Sequence, residues 1–305
     1  MGKIIGTPAT LALPAGILAL MLLMIMPVPA LVLDIAFAAA GTGSSFEKVT
    51  GPFLAGLGER LAAWVDHHDH NLHPSFRDDP RFTLCTKAVH GACPEMITPE
   101  MVARTGPVDT VVCHNDFDGL YAAAKWLLGG VEPYPGADDD ARAVDTRTGA
   151  LSPRGALVDR ALRIDGRDDA FLGRVVAWLV GRAADPQVGG EIAAAAARYD
   201  ATEQRTRDVA GDRYVVSGSV AWCDITDLKP REVDKTELLL LGQKRAPVSV
   251  LTDEQNVTLA AAFDSGLDFL AMLGVAGGMP TRVSVPRSRE AEVRAVLAKR
   301  GLLPT

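Results

Sequence analysis

The six histidines of this 305-residue chain all lie between positions 67 and 114. Four stand in "VDHHDHNLH", as His67, His68, His70 and His73, and His90 and His114 complete the set. Carboxylates are interleaved with them. Asp66 precedes His67, and "HNDFDG" alternates His114, Asp116 and Asp118. Imidazole nitrogens and carboxylate oxygens together suit Mn²⁺, Zn²⁺ or Fe²⁺ better than Ca²⁺. Alternate side chains of an extended segment share a face, so the second spacing aims one imidazole and two carboxylates the same way. Such a trio is self-repelling unless a cation lies within it. Gly119 then lets the backbone turn into the next helix. In the first cluster one imidazole can bind metal, a second can face substrate, and Asp66 can orient or bridge. The plain alternatives are an Asx-turn loop for the second cluster and a His-rich surface loop for the first.

Hydrophobic strands must deliver these clusters. "ALVLDIAFA" (30–38) reads as a buried strand carrying Asp34, "LAAWV" (61–65) as a strand ending at Asp66, and "DTVVC" (109–113) as a strand running into the acidic loop. Helical spacing covers 45–62 and 119–130, and 98–106 reads as a helix with Thr98 as cap, Pro99 in its first turn and Gly106 as stop. This alternation predicts an α/β fold, a parallel sheet flanked by helices. Ligands of such sheets bind beyond the carboxyl ends of strands, where Asp34, Asp66–His70 and His114–Asp118 would meet. Further on, 153–182 and 189–209 read as helices and 213–222, 246–253 and 281–286 as strands. A terminal helix over 288–301 has Ser288 as its expected cap. The acidic run 136–149 and the Pro/Gly positions after it suggest a boundary. The expected domains are an apolar segment 1–29, a metal-binding domain 30–150, and 151–305 as a helical linker with a second, smaller α/β domain.

Residues 11–33 carry no charge, a length that can span a bilayer, so a candidate N-terminal membrane helix stands beside the alternative of a buried strand and helix. The expected location is accordingly cytoplasmic or membrane-anchored. A net charge of −7 disfavours a broad nucleic-acid surface, yet leaves room for a small anionic substrate held by a metal. Cys85, Cys93, Cys113 and Cys223 form no CxxC pair and read as small buried thiols rather than a disulfide or zinc framework.

"DHH" after a hydrophobic strand, with "HNDFDG" at the end of another, resembles the DHH phosphoesterase superfamily. That group includes RecJ-type exonucleases, oligoribonucleases, cyclic-dinucleotide phosphodiesterases, exopolyphosphatases and manganese pyrophosphatases. The resemblance covers about residues 30–150. It implies a pair of metal ions, Mn²⁺ for preference, whose activated hydroxide hydrolyses a phosphodiester or phosphoanhydride of a nucleotide-like or small phosphorylated substrate. It implies His114 and Asp116 as ligands of one metal, Asp118 and His67 of the other, and His68 facing the scissile phosphate, with Asp66 the acid of the triplet. Asp34 in "LVLDIA" fits the bridging acid, and Asp145 in "AVDTRTG" is the candidate for the later one. The family places its H-x-D-x-D-G loop before DHH. Here the order is reversed, as in a circular permutation. "GVAGGMPTRVSV" (274–285) is a faint likeness of the family's Gly-rich substrate module.

"GILALMLLMIMPVPALVLDIAFA" (16–38) also resembles the first membrane segment of the large export-gate protein of flagellar and type III secretion systems. On that reading Asp34 belongs to a membrane region, and the remainder is a non-catalytic binding domain. A catalytically dead DHH-like scaffold is the third hypothesis, against which the intact Asp66, His67, His68, His114, Asp116 and Asp118 argue.

Overall fold

The computed structural model of the chain describes residues 3–6, by their backbone, together with 29–40, 43–229 and 231–304. The candidate membrane segment lies almost wholly outside the described residues. Among those described, no helix is long and apolar enough to cross a membrane.

The chain forms two compact units, residues 1–37 with 47–198 and residues 38–46 with 199–305. The first holds a five-stranded sheet. Its strands are β1 (Lys3–Gly6), β2 (Ala30–Leu33), β3 (Leu61–Asp66), β4 (Phe82–Leu84) and β5 (Thr110–Cys113). The spatial order is β1-β5-β2-β3-β4. All pairs from β5 to β4 are parallel, and only β1 runs antiparallel on the β5 edge. Every residue of β2 and β5 is buried, as strands covered on both faces must be.

Helices α1 (Thr50–Leu57), α2 (Pro99–Thr105), α3 (Phe117–Leu127) and α4 (Ala137–Thr146) follow the strands. Thr98 caps α2 by accepting the Met101 amide at 3.2 Å, and Gly106 ends it at φ 78°. The helix read over 45–62 is shorter, because a 3₁₀ turn at Gly58–Arg60 hands the chain to β3 at Leu61. The acidic run 136–149 is not a linker. It contains α4, whose Asp140 is buried and accepts from Ser152 N (2.7 Å), Ser152 Oγ (2.6 Å) and Tyr134 Oη (2.8 Å).

The two units do not divide at residue 150. Helices α5 (Pro153–Asp165) and α6 (Asp169–Val180) belong to the first, and α7 (Pro186–Arg213) begins in it. Phe171, Leu172, Val175 and Leu179 of α6 share one core with Leu120 and Tyr121 of α3 and with Leu31, Leu33, Val65 and Val111 of the sheet. Burying that apolar surface ties the helices to the sheet rather than to the following segment.

The second unit is a smaller α/β body with a mixed sheet. Its strands are β6 (Val215–Ser217), β7 (Val220–Asp224), β8 (Val248–Thr252), β9 (Asn256–Ala261) and β10 (Arg282–Pro286), in the order β10-β9-β8-β7-β6. Only β7 and β8 are parallel. The stretch read as one strand over 213–222 is a hairpin, turning at Gly218 with φ 55°. Its helices are α8 (Lys235–Gln243), α9 (Phe269–Leu273) and α10 (Glu290–Lys299). Ser288 does not cap α10, since a 3₁₀ turn over Arg287–Arg289 precedes it. The four cysteines are free thiols, and Cys93, Cys113 and Cys223 are buried.

Candidate metal centre

Register brings the clusters together. Leu33 of β2 pairs with Val65 of β3 on one side and Cys113 of β5 on the other. The next residues, Asp34, Asp66 and His114, therefore stand at one level at the carboxyl edge of the sheet, Asp66 as the last residue of β3. Backbone bonds hold that edge: Asp34 N donates to Val65 O at 2.9 Å, and His114 N to Leu33 O at 3.2 Å. Asp34 adopts φ 55°, the left-handed region that aspartate tolerates better than most side chains. The position is strained, and its carboxylate is turned into the interior at 1% exposure. Such strain persists where surrounding structure over-determines it, often at functional sites. The structure thus places Asp34 at the end of a parallel-sheet strand in the first unit.

His67 is wholly buried. Its Nδ1 lies 2.9 Å from the His90 carbonyl, which can only accept, so Nδ1 carries the proton. The lone pair of the neutral ring is then on Nε2, as in a ligand oriented by a backbone carbonyl. Nε2 lies 3.2 Å from Asp34 Oδ1, 3.2 Å from Asp118 Oδ2 and 3.7 Å from Asp145 Oδ2. His68 Nδ1 bonds Asp66 Oδ1 at 2.8 Å and stands 3.6 Å from Asp34 Oδ1. His114 Nδ1 stands 2.6 Å from Asp116 Oδ2 and 3.7 Å from Asp34 Oδ2. Each of the eight residues singled out from the sequence lies in this neighbourhood.

Their arrangement differs from the expected shared strand face. Only His114 follows β5 directly. Asp116 is the N-cap of α3, its Oδ1 accepting the Gly119 amide at 3.2 Å, and Asp118 is already helical. Helical rotation carries Asp118 away from Asp116 and toward His67. Three overlapping groups result: Asp34, His67 and His68; Asp34, His114 and Asp116; and His67, Asp118 and Asp145. Within each, potential ligand atoms lie within 4.8 Å of one another. Gly119 serves by close approach rather than turn flexibility, because a Cβ there would lie 2.5 Å from the His114 carbonyl oxygen.

These residues fit a metal. Both Asp34 oxygens and His67 Nε2 are buried without any partner in hydrogen-bond geometry, although they converge to 3.2 Å. Polar atoms aimed at a common point rather than at one another are a coordination arrangement, and buried polar groups otherwise find partners. The charges agree. Burial alone would lower the His67 pKa, but Asp118 and Asp34 raise it to about 11. The Asp116 carboxylate, outweighing burial, raises His114 well above the usual imidazole range. Burial raises Asp118, with Asp34 and Asp116 adding repulsion. Burial would do the same to Asp34, yet the neighbouring His114, His67 and His68 imidazoles hold it well below the usual carboxylate range. Without a metal, protons on imidazoles compensate the acids.

The other histidines divide. The His90 backbone orients His67, while its ring stands 3.6 Å from Glu95. His70 and His73 pack edge-on to Phe37, with ring centroids 5.5 and 5.2 Å away, and His73 Nε2 is 4.0 Å from Asp66 Oδ2. Sequence reasoning missed Lys87, a buried cation whose ammonium donates to Asp145. It also missed the Cys93 amide, which donates to Asp118 Oδ2 at 3.2 Å. A lone lysine in "CTKAVHG" gives no pattern signal.

No protein-family model matches the chain, and no curated protein matches it significantly. Among solved structures a similar chain is titled "pGpG-specific phosphodiesterase - PggH from Vibrio cholrae". It shares 12% identity at a TM-score of 0.42, and the match covers 54% of this chain and 65% of that one, under two thirds of its length. That likeness is too distant to carry a functional argument.

Proposed function

We propose that the first unit is a metal-dependent phosphoesterase of DHH type, with its two signature segments in reversed chain order. One observation carries this reading: Asp34 and His67 each belong to two of the three ligand groups and lie 3.2 Å apart. Two adjacent cation positions sharing such a pair would be held by Asp34, His114 and Asp116 on one side and by His67, Asp118 and Asp145 on the other. Reversal of the motifs is tolerable because the ligands depend on strand ends meeting, not on chain order. Divalent ions, for which the donor set suits Mn²⁺, Zn²⁺ or Fe²⁺ and the family resemblance favours Mn²⁺, would polarise a phosphoryl oxygen and make water nucleophilic near neutral pH.

The chain's own residues supply positioning and charge. The His90 carbonyl fixes the His67 tautomer. Asp66 holds His68 by Nδ1, which leaves His68 Nε2 free toward a phosphoryl oxygen, and the His68 side chain is partly exposed, as a substrate-facing group must be. The substrate class is a small phosphodiester or phosphoanhydride, nucleotide-like or otherwise phosphorylated.

The test is hydrolysis of a panel of dinucleotides, cyclic dinucleotides, phosphomonoesters and pyrophosphate, with Mn²⁺ titrated into chelator-stripped protein. Mn²⁺-dependent turnover of at least one compound is expected. No turnover across the panel, with no metal bound, contradicts the reading.

A further inference from the structure

Lys87 sits inside the acidic cluster rather than beside it. Its side chain is 3% exposed, and its ammonium donates to Asp145 Oδ2. The same oxygen stands 3.7 Å from His67 Nε2. One carboxylate oxygen is thus claimed both by a buried fixed cation and by the His67–Asp118–Asp145 group. The Asp34–His114–Asp116 group differs. Among the described residues no lysine or arginine is ion-paired with its members, whose partners are histidines.

We propose that Lys87 makes the two cation positions unequal. Its charge weakens the ion held by His67, Asp118 and Asp145 relative to the ion held by Asp34, His114 and Asp116, so the centre loads in two steps. The inference rests on the metal-centre reading above. Charges a few ångströms apart interact far more strongly in a poorly hydrated interior than in water, and a divalent ion feels twice the repulsion of a monovalent one. Lys87 also interacts electrostatically with Asp118 and Asp34, more weakly than with Asp145. The nearer ion, on Asp145, bears the larger effect. Lys87 is a positioning residue in this account, acting through Asp145 and not on substrate.

The experiment uses the full chain stripped of metal, with free Mn²⁺ followed by electron paramagnetic resonance and bound Mn²⁺ by calorimetry. The parent is expected to show two classes of site, the second at least tenfold weaker. Lys87→Gln, which can keep a hydrogen bond to Asp145 without the charge, is expected to tighten the second class at least tenfold and the first by less than threefold. Lys87→Met should do the same, and Lys87→Arg should retain the parent pattern. Thermal melts identify any variant that has not folded, and Lys87→Gln decides if Lys87→Met has not. Equal affinities in the parent, or a second class unchanged or weakened in Lys87→Gln, overturn the inference and leave the metal centre standing. A parent that binds no Mn²⁺ removes the metal centre and this inference with it.

Discussion

His67 Nε2 and Asp34 Oδ1 lie 3.2 Å apart, buried, at the ends of neighbouring parallel strands. Neither atom has a partner in hydrogen-bond geometry. The pair joins the ligand groups into one centre, so a change at either residue reaches two of the three groups.

His67→Ala and Asp118→Asn each remove a ligand atom from the same group. Losing only a group that orients a ligand typically costs tenfold to a hundredfold in metal affinity or activity, so loss of a ligand itself should cost about a hundredfold or more in Mn²⁺-dependent hydrolysis. Asp118→Asn should fold, because its side-chain oxygen can still accept the Cys93 amide. Rates measured beside thermal melts check both. Parent-like turnover in either variant contradicts the ligand assignment.

Metal binding should release protons. The carboxylates keep His67 charged up to about pH 11 once burial is overcome, and His114 likewise stays charged well above the usual imidazole range. A ligand imidazole must be neutral at the coordinating nitrogen, so binding near pH 7 should expel about two protons, and affinity should rise with pH. Calorimetry in buffers of different ionisation enthalpy gives the count. A heat independent of buffer contradicts it.

His90 and His73 should behave differently. His90 acts through its backbone carbonyl, so His90→Ala should keep activity within about threefold, as a partly exposed side chain off the ligand set should. His73 packs on Phe37 and is mostly buried. His73→Ala should leave hydrolysis nearly unchanged but lose roughly 1–3 kcal/mol of stability through lost packing. Denaturant melts with paired rate assays separate the two. Loss of metal-dependent rate in His90→Ala, with metal binding intact, would give its ring a role the geometry does not.

Gly119→Ala should injure the centre without touching a ligand. Its Cβ would meet the His114 carbonyl oxygen at 2.5 Å, forcing apart the turn that carries His114 and Asp116. Overpacking of this kind costs about 1–3 kcal/mol. Weaker Mn²⁺ binding together with a lower melting temperature is expected, and an unchanged melt would show that the turn relaxes freely.

The three central strands were legible because each is a short, uninterrupted apolar run, and the ligand types stood where those runs ended. The meeting of Asp34, Asp66, His67, His68 and His114 at strand ends followed from that alone, while the part each would play came from the family resemblance. The arrangement of Asp116 and Asp118 did not follow from the apolar runs, because a capped helix start and an extended loop share the same letters until Asp116 is seen to accept the Gly119 amide. Asp145 came only from a family resemblance, since "AVDTRTG" lies in an acidic run whose helical packing depends on α3. Lys87 was invisible: its burial and its bond to Asp145 join residues 58 positions apart.

The most direct test of the centre is anomalous scattering at the manganese edge from crystals of the full chain grown with saturating Mn²⁺. The account predicts two peaks, one at about ligand distance from Asp34, His114 and Asp116 and the other from His67, Asp118 and Asp145, with bonds of roughly 2.0–2.2 Å taken from comparable nitrogen and oxygen ligands. Saturated crystals with no peak among these residues, or with manganese bound only elsewhere on the chain, would contradict it.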